Sequence, residues 1–203
     1  AFERGATCST NNARIGCVST PHGSFQTPAF MPVATAAAMK GVLPNQVRDS
    51  GAEIILNNAY HLMLRPGVEL IKDRGGTQKF MRWDGPVLTD SGGYQAFSMA
   101  DINAIDEEGV TFRSFVSGEK IHLGPERSME VQNAIGADII MAFDDCPPSP
   151  QANVDASSPR ARLPKPKDWA ARRVEAHERT LRWLERSIAA HARKEEQGLF
   201  GIV

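Results

Sequence analysis

The chain has 203 residues, 41% of them hydrophobic and 23% charged, with a formal net charge of −1, the balance of an ordinary globular domain long enough to bury a core. No apolar run approaches the ~20 residues of a membrane-spanning helix, and no signal-peptide pattern opens the sequence. The three scattered cysteines, Cys8, Cys17 and Cys146, offer neither a disulfide framework nor zinc-ligand spacing, so a cytoplasmic, reducing compartment is expected.

Residues 1–12 are small and polar without periodicity and read as a loose terminus. Ile15–Val18 and Ser24-Phe25 flank the turn-rich Thr20-Pro21-His22-Gly23, which predicts a β-hairpin. The apolar stretch Ala29–Val33, weakened as a strand by Pro32, runs into Ala34-Thr35. Leu43-Pro44 then opens a short helix that stops near Gly51.

Glu53–Leu56 reads as a buried strand entering Asn57-Asn58-Ala59-Tyr60-His61, and Val68–Lys72 as a helix closed by Gly75-Gly76. A third strand, Pro86–Leu88, delivers Thr89-Asp90-Ser91-Gly92-Gly93-Tyr94-Gln95. Its paired glycines permit a sharp turn and close approach of a ligand to the backbone. By itself Asp90 also fits a helix N-cap. Gly109–Val116 alternates apolar and polar residues and predicts an inserted hairpin. Gly124-Pro125-Glu126 starts a helix that Gly136 stops. Asp138–Phe143 is a fourth strand, leading into Asp144-Asp145-Cys146.

The stretch 148–167 is rich in Pro, Ser and basic residues and reads as a surface loop. Asp168 can cap a long helix reaching about Lys194. Val174, Leu181, Leu184 and Ile188 form its apolar stripe, with five arginines (Arg172, Arg173, Arg179, Arg182 and Arg186) mostly off it. Residues 151–197 carry 11 Lys/Arg against 7 Asp/Glu, and the remainder 12 against 17, so any nucleic-acid contact has to be local. A solvated helix with internal Glu/Arg pairs accounts for the arginines better than an RNA-facing one. Leu199–Val203 begins a fifth strand.

Strand and helix alternate, with connections too long for hairpins, which marks parallel β/α units. Thr35, Asn57/Asn58, Asp90 and Asp144 end successive strands. Parallel strands put these ends on one rim, where (β/α)8 barrels build their sites. Such a barrel takes ~250 residues, so the expectation is the first half of one plus an N-terminal hairpin, with residues 13–203 as part of a single domain. Two rim carboxylates suit a purine-like heterocycle. One accepts two parallel hydrogen bonds from N1–H and N2–H₂ of a guanine edge, the other does acid/base work, and an aromatic such as Tyr94 stacks. A divalent metal held by His61, Asp90, Asp144 and Asp145 is the alternative, disfavoured because no His-x-His pair stands at a strand end.

Longer motifs sharpen this. Thr27–Val33, Tyr60–Gly67, Leu88–Gln95, Glu108–Phe112 and Met141–Cys146, in this order and spacing, resemble the tRNA-guanine transglycosylases, or queuine tRNA-ribosyltransferases, of the bacterial type. The similarity runs from about Ala13 to Val203. It implies a (β/α)8 barrel with an added zinc subdomain, commonly a homodimer. It also implies a cytoplasmic pentosyltransferase of queuosine biosynthesis that replaces guanine at the tRNA wobble position by a 7-deazaguanine. That exchange is a double displacement through a covalent tRNA–enzyme intermediate.

By the same resemblance Asp90 matches the general acid/base, Ser91, Gly92, Gly93 and Tyr94 the base-binding turn, and Asp144 the carboxylate that reads guanine. Asn58 lines the same pocket, and Cys146 suits the aminomethyl-deazaguanine precursor preQ1 over queuine. Tyr60, His61 and Gln95 stand beside these without an assigned role, and Asp145 reads as structural. Asn57 and Ala59 depart from the family's usual Gly-Asn-Thr-Tyr-His, and the 148–167 stretch is longer than its usual connection. The family's nucleophilic Asp and its Cys/Cys/Cys/His zinc ligands fall beyond Val203. The chain is thus expected to be a fragment, inactive alone, that binds no metal itself. A non-catalytic tRNA-binding or partner subunit of the same fold is the competing reading.

Overall fold

In a computed structural model, the protein is described over residues 1–99, 101–147 and 166–202. The stretch 148–165, most of the expected surface loop, lies outside the described residues. Among those residues the chain is α/β. Its centre is a parallel sheet ordered β10(Gly198–Phe200)–β9(Ile139–Met141)–β5(Val87–Thr89)–β4(Ile55–Asn57). A parallel bridge from Val33 to Leu56 adds the Ala29–Thr35 stretch at the β4 edge.

The register aligns the strand ends. Asn57 pairs with Thr89, Thr89 with Ile140, and Phe200 with Met141. The Asp90 amide continues the ladder onto Asn57 O, and the Asn58 amide onto Thr35 O. Thr35, Asn58 and Asp90 therefore leave the sheet on one rim, as the parallel reading requires.

Helices α1(Pro44–Asp49), α2(Ala59–Leu64), α3(Val68–Asp73), α4(Thr77–Met81), α5(Gly93–Met99), α6(Pro125–Ile135) and α7(Trp169–Ala190) connect and cover the strands. Adjacent strand residues point to opposite faces, and the core divides accordingly. Ile55, Val87 and Ile140 face the helices, packing with Val47, Leu62, Ile71, Trp83, Met129 and Ile135. Ile54 and Ile139 face the other way, against Phe25. Phe25 belongs to the hairpin β2(Arg14–Thr20)–β3(Gly23–Thr27), which thereby covers that face.

The hairpin is also tied down by charge. Asp138, whose side chain is wholly buried at the start of β9, accepts from His22 N, His22 Nδ1 (2.8 Å), Gln78 Nε2 and Val87 N. A buried carboxylate is tolerable only when so satisfied.

Three sequence expectations change. Residues 2–7 are no loose terminus but strand β1(Phe2–Thr7), antiparallel to β2. All six residues are exposed, and backbone pairing with a bond from the N-terminal ammonium to Ser19 O holds the strand without burial. The inserted hairpin is a three-stranded antiparallel sheet, β6(Asp101–Ile105), β7(Val110–Arg113) and β8(Lys120–Leu123).

Helix α7 is capped by Asp168 as expected, its carboxylate accepting from Ala170 N and Ala171 N. Its buried face, however, is Ala176, Arg179, Thr180, Trp183 and Ser187, while Val174, Leu181 and Ile188 are 58%, 43% and 50% exposed. Arg179 does pair within the helix, with Glu175. The arginines mainly reach outward, however: Arg172 and Arg179 to Asp145, Arg182 to Glu107, and Arg186 to Glu126 and Glu108. Trp183, fully buried, adds a bond from Nε1 to Glu107 O and packs on Phe143.

Candidate active site on the strand rim

Strand β5 ends in a turn that favours glycine. Gly92 has φ of +80°, and a Cβ there would lie 3.2 Å from Tyr60 N. A Cβ on Gly93 would lie 3.1 Å from Asp144 Oδ1 and 3.3 Å from Ser91 Oγ. The glycine pair thus lets α2 and the β9 exit close onto the turn from both sides. Ser91, buried, accepts from Gly93 N through Oγ, and its carbonyl accepts from Ser128 Oγ of α6 at 2.7 Å.

Asp90 is not a helix N-cap. Its carboxylate accepts from Asn58 Nδ2, from Ala59 N at 2.9 Å and from Gln95 Nε2 at 2.8 Å. Burial pushes the carboxyl above its ordinary value, against these bonds and one from the Gly92 amide, which favour the charged form. Burial dominates, so Asp90 holds a proton more readily than a surface aspartate does.

Asp144 is pushed up to about 6, chiefly by burial. A bond from its own backbone opposes the shift, and the like charges of Asp145 and Asp90 add to it. Two carboxyls with raised proton affinities share one rim. That is the condition under which one can carry a proton while the other stays an acceptor.

The neighbouring residues divide by position. Asn57 turns away from the rim into a buried set, donating to Ala34 O and accepting from Thr77 Oγ1, while Asn58, on the opposite face, serves Asp90. Tyr94 is 54% exposed at the first turn of α5. Cys146 packs at the border of the cluster formed by Tyr60, Phe143 and Trp183.

Tyr60 is buried, its hydroxyl has no hydrogen-bond partner among the described residues, and burial pushes that hydroxyl up to about 12. His61 sits edge-on to Tyr60 at the rim. Burial lowers its basicity, and the Asp90 charge works against that. Asp145 is structural, as its sequence context suggests. Its fully buried carboxylate is held by Arg172 and Arg179.

Asp90, Ser91, Gly92, Gly93 and Asp144, grouped by the sequence, lie beside one another in the structure, whereas the sequence assigned Gln95 no task. No three His, Cys, Asp or Glu side chains gather as metal ligands among the described residues. No helix among them is long and apolar enough to cross a membrane.

Fold and rim together define an α/β protein with paired carboxylates against a glycine turn at the ends of parallel strands. A family model for queuine tRNA-ribosyltransferase matches residues 8–203. The chain is 50% identical over 202 residues to the queuine tRNA-ribosyltransferase of Halalkalibacterium halodurans, covering 100% of this chain and 49% of that protein. Against those of Lysinibacillus sphaericus and Staphylococcus aureus the identities are 49% and 48%, covering 97% and 100% of this chain and 47% and 49% of theirs. The chain belongs to the queuine tRNA-ribosyltransferase family. It spans about half the length of the curated relatives it matches.

Proposed function

We propose that this chain carries the guanine-reading half of a tRNA base-exchange site. The observation that supports it most directly is the placement of Asp144 against Gly93, on the rim that Asp90 also occupies. In this reading the ionised Asp144 accepts N1–H and N2–H₂ of guanine in parallel. Tyr94 stacks on the base. Asn58 and the Ser91–Gly93 turn line the pocket.

Exchange then proceeds by double displacement. A carboxylate nucleophile, supplied outside these residues, attacks ribose C1′ and the C1′–N9 bond breaks. Asp90 gives a proton to the departing guanine. The incoming base loses its N9 proton to Asp90, its N9 attacks C1′, and the ester to the nucleophile breaks. An Asp90 carboxyl raised by burial yet steadied by four donors suits both directions of that transfer. The target nucleotide must leave its stack to enter.

The half-buried Cys146 wall favours preQ1 over the bulkier queuine. The parallel sheet is the first part of a (β/α)8 barrel in this reading, and the working protein is a cytoplasmic homodimer. Its zinc ligands, like its nucleophile, are not among the residues described, and no step above runs through a metal.

The test is incorporation of labelled guanine into unmodified tRNA, run on this chain and on the product of the whole reading frame that encodes it. Incorporation by the latter, lost in Asp90→Ala and absent from the 203-residue chain, supports the reading. Incorporation by the 203-residue chain means the nucleophile lies within it. Absence from both replaces the enzyme by a tRNA-binding subunit of the same fold.

A further inference from the structure

The β9 exit is gripped from outside the rim. Asp145 presents a carboxylate with no exposure, and α7 takes it twice. Arg172 donates Nη1 to Oδ2 at 2.9 Å and Nη2 to Oδ1 at 2.6 Å, and Arg179 donates Nη1 to Oδ2 at 2.5 Å. The Asp145 amide donates to Thr180 Oγ1 at 3.1 Å. Positions 172, 179 and 180 lie on one face of α7, two turns apart.

A buried ion pair of this kind is weak as a source of stability, because desolvation of the charges offsets most of their attraction. Its worth has to lie in placement. The Asp145 amide belongs to the peptide that leaves Asp144, so Thr180 holds that peptide plane and with it the backbone that carries the Asp144 side chain. The guanidiniums fix the next residue along.

We propose that Arg172, Arg179 and Thr180 are positioning residues for Asp144, a clamp that holds its carboxylate in the base pocket and offsets the charge of Asp145 beside it. This deepens the base-exchange reading and rests on it.

The charges around Asp144 bear out the need for an offset. Asp90 faces it from the end of β5, with His61 beyond on α2, and Asp145 is its chain neighbour. On α7 stand Arg172 and Arg179, themselves shared with Glu175 and Glu107 on the outer side. Removing either guanidinium leaves the Asp145 charge acting on Asp144 more fully, which disfavours ionisation of Asp144. Removing the Thr180 hydroxyl loosens the aim without changing any charge.

The experiment uses the product of the whole reading frame and two readouts. One is the titration of Asp144 followed by carboxyl-carbon NMR. The other is KM for guanine against KM for tRNA, with the acid limb of kcat/KM for guanine. For Arg172→Met and Arg179→Met the expected result is an Asp144 titration and an acid limb displaced upward by roughly half to one pH unit. Guanine KM rises about tenfold while tRNA KM holds within about twofold. Arg172→Lys keeps the charge and restores the titration more than the KM. Adding Asp145→Asn to Arg172→Met returns the limb toward its original place. Thr180→Val raises guanine KM and leaves the limb unmoved.

Folded variants that keep guanine KM, acid limb and Asp144 titration would overturn the clamp and reduce it to a brace for α7. Should the methionine variants fail to fold, Thr180→Val and Arg172→Lys decide by the same readouts. Should the wild type ignore guanine, the base-exchange reading falls, and the Asp144 titration still decides whether α7 governs that carboxyl.

Discussion

Gly93 and Asp144 meet so closely that a methyl group on the glycine would stand 3.1 Å from the aspartate's Oδ1. That separation is tight for carbon and oxygen, and the Asp144 backbone carbonyl would stand nearly as close, at 3.2 Å, so both the side chain and the β9 exit have to give. Gly93 opens α5, where alanine otherwise gains up to about 1 kcal/mol in helix propensity. Gly93→Ala is therefore expected to leave urea stability within about 1 kcal/mol and to weaken guanine binding clearly. Loss of stability without loss of binding would place the guanine elsewhere. Gly92→Ala behaves differently, costing about 1–2 kcal/mol, because its left-handed backbone penalises any side chain.

Asp144 sets an acid limit on base recognition. With its carboxyl raised to about 6, guanine affinity should fall as pH drops through that value, since the protonated acid no longer accepts both N–H groups. The stability consequence has the opposite sign. A carboxyl whose folded value exceeds its unfolded value makes the native state less stable above that window and relatively more stable below it. Asp144→Asn is accordingly expected to gain about 1–2 kcal/mol at pH 7 and to lose guanine binding. Isothermal titration and urea melts at pH 5 and 7 check both signs.

Asn58 and Gln95 hold Asp90 toward its charged form. Replacing either amide by leucine removes a donor that favours the charged form and raises the Asp90 carboxyl further. The Asp90 titration, followed by carboxyl-carbon NMR, should move upward in both variants, with Asp90→Asn inactive at every pH. Full exchange by Asp90→Asn would remove Asp90 from the proton transfer.

Asp138 gives the largest stability prediction. Truncation to alanine strands the buried donors Val87 N and Gln78 Nε2 and releases His22, at a cost of about 3 kcal/mol or more. Equilibrium unfolding of Asp138→Ala measures this, and a cost under about 1 kcal/mol would mean the hairpin is held by Phe25 alone.

What could be read from residue order follows burial. Strands β4, β5 and β9 are short apolar runs ending in polar residues, so both the sheet and its rim were legible. Gly136 stops α6 in a left-handed conformation, as its place after Ile135 suggests. Strand β1 was not legible because none of its residues is buried and no alternation exists to detect. The α7 stripe misled for a related reason. A helix normally buries its apolar side, yet here Arg179 and Thr180 are buried because Asp145 supplies their partners from 34 and 35 residues away. No local pattern encodes that. The task of Gln95 was likewise visible only once α5 returned it to Asp90.

The His22–Asp138 contact spans 116 residues, and this fixes an order of assembly. Asp138 becomes an acceptor in the right place only when β9 has joined β5, which in turn requires α6 to have formed between them. The hairpin precedes all of these in the chain, and beyond its contacts with Glu53 and Ile54 its partners Asp138 and Ile139 arrive only with β9. Closing so long a loop is entropically costly before native contacts reward it. The first structured segment is thus the last to be seated, and pulsed hydrogen exchange should find the β5 and β9 amides protected before those of β2 and β3.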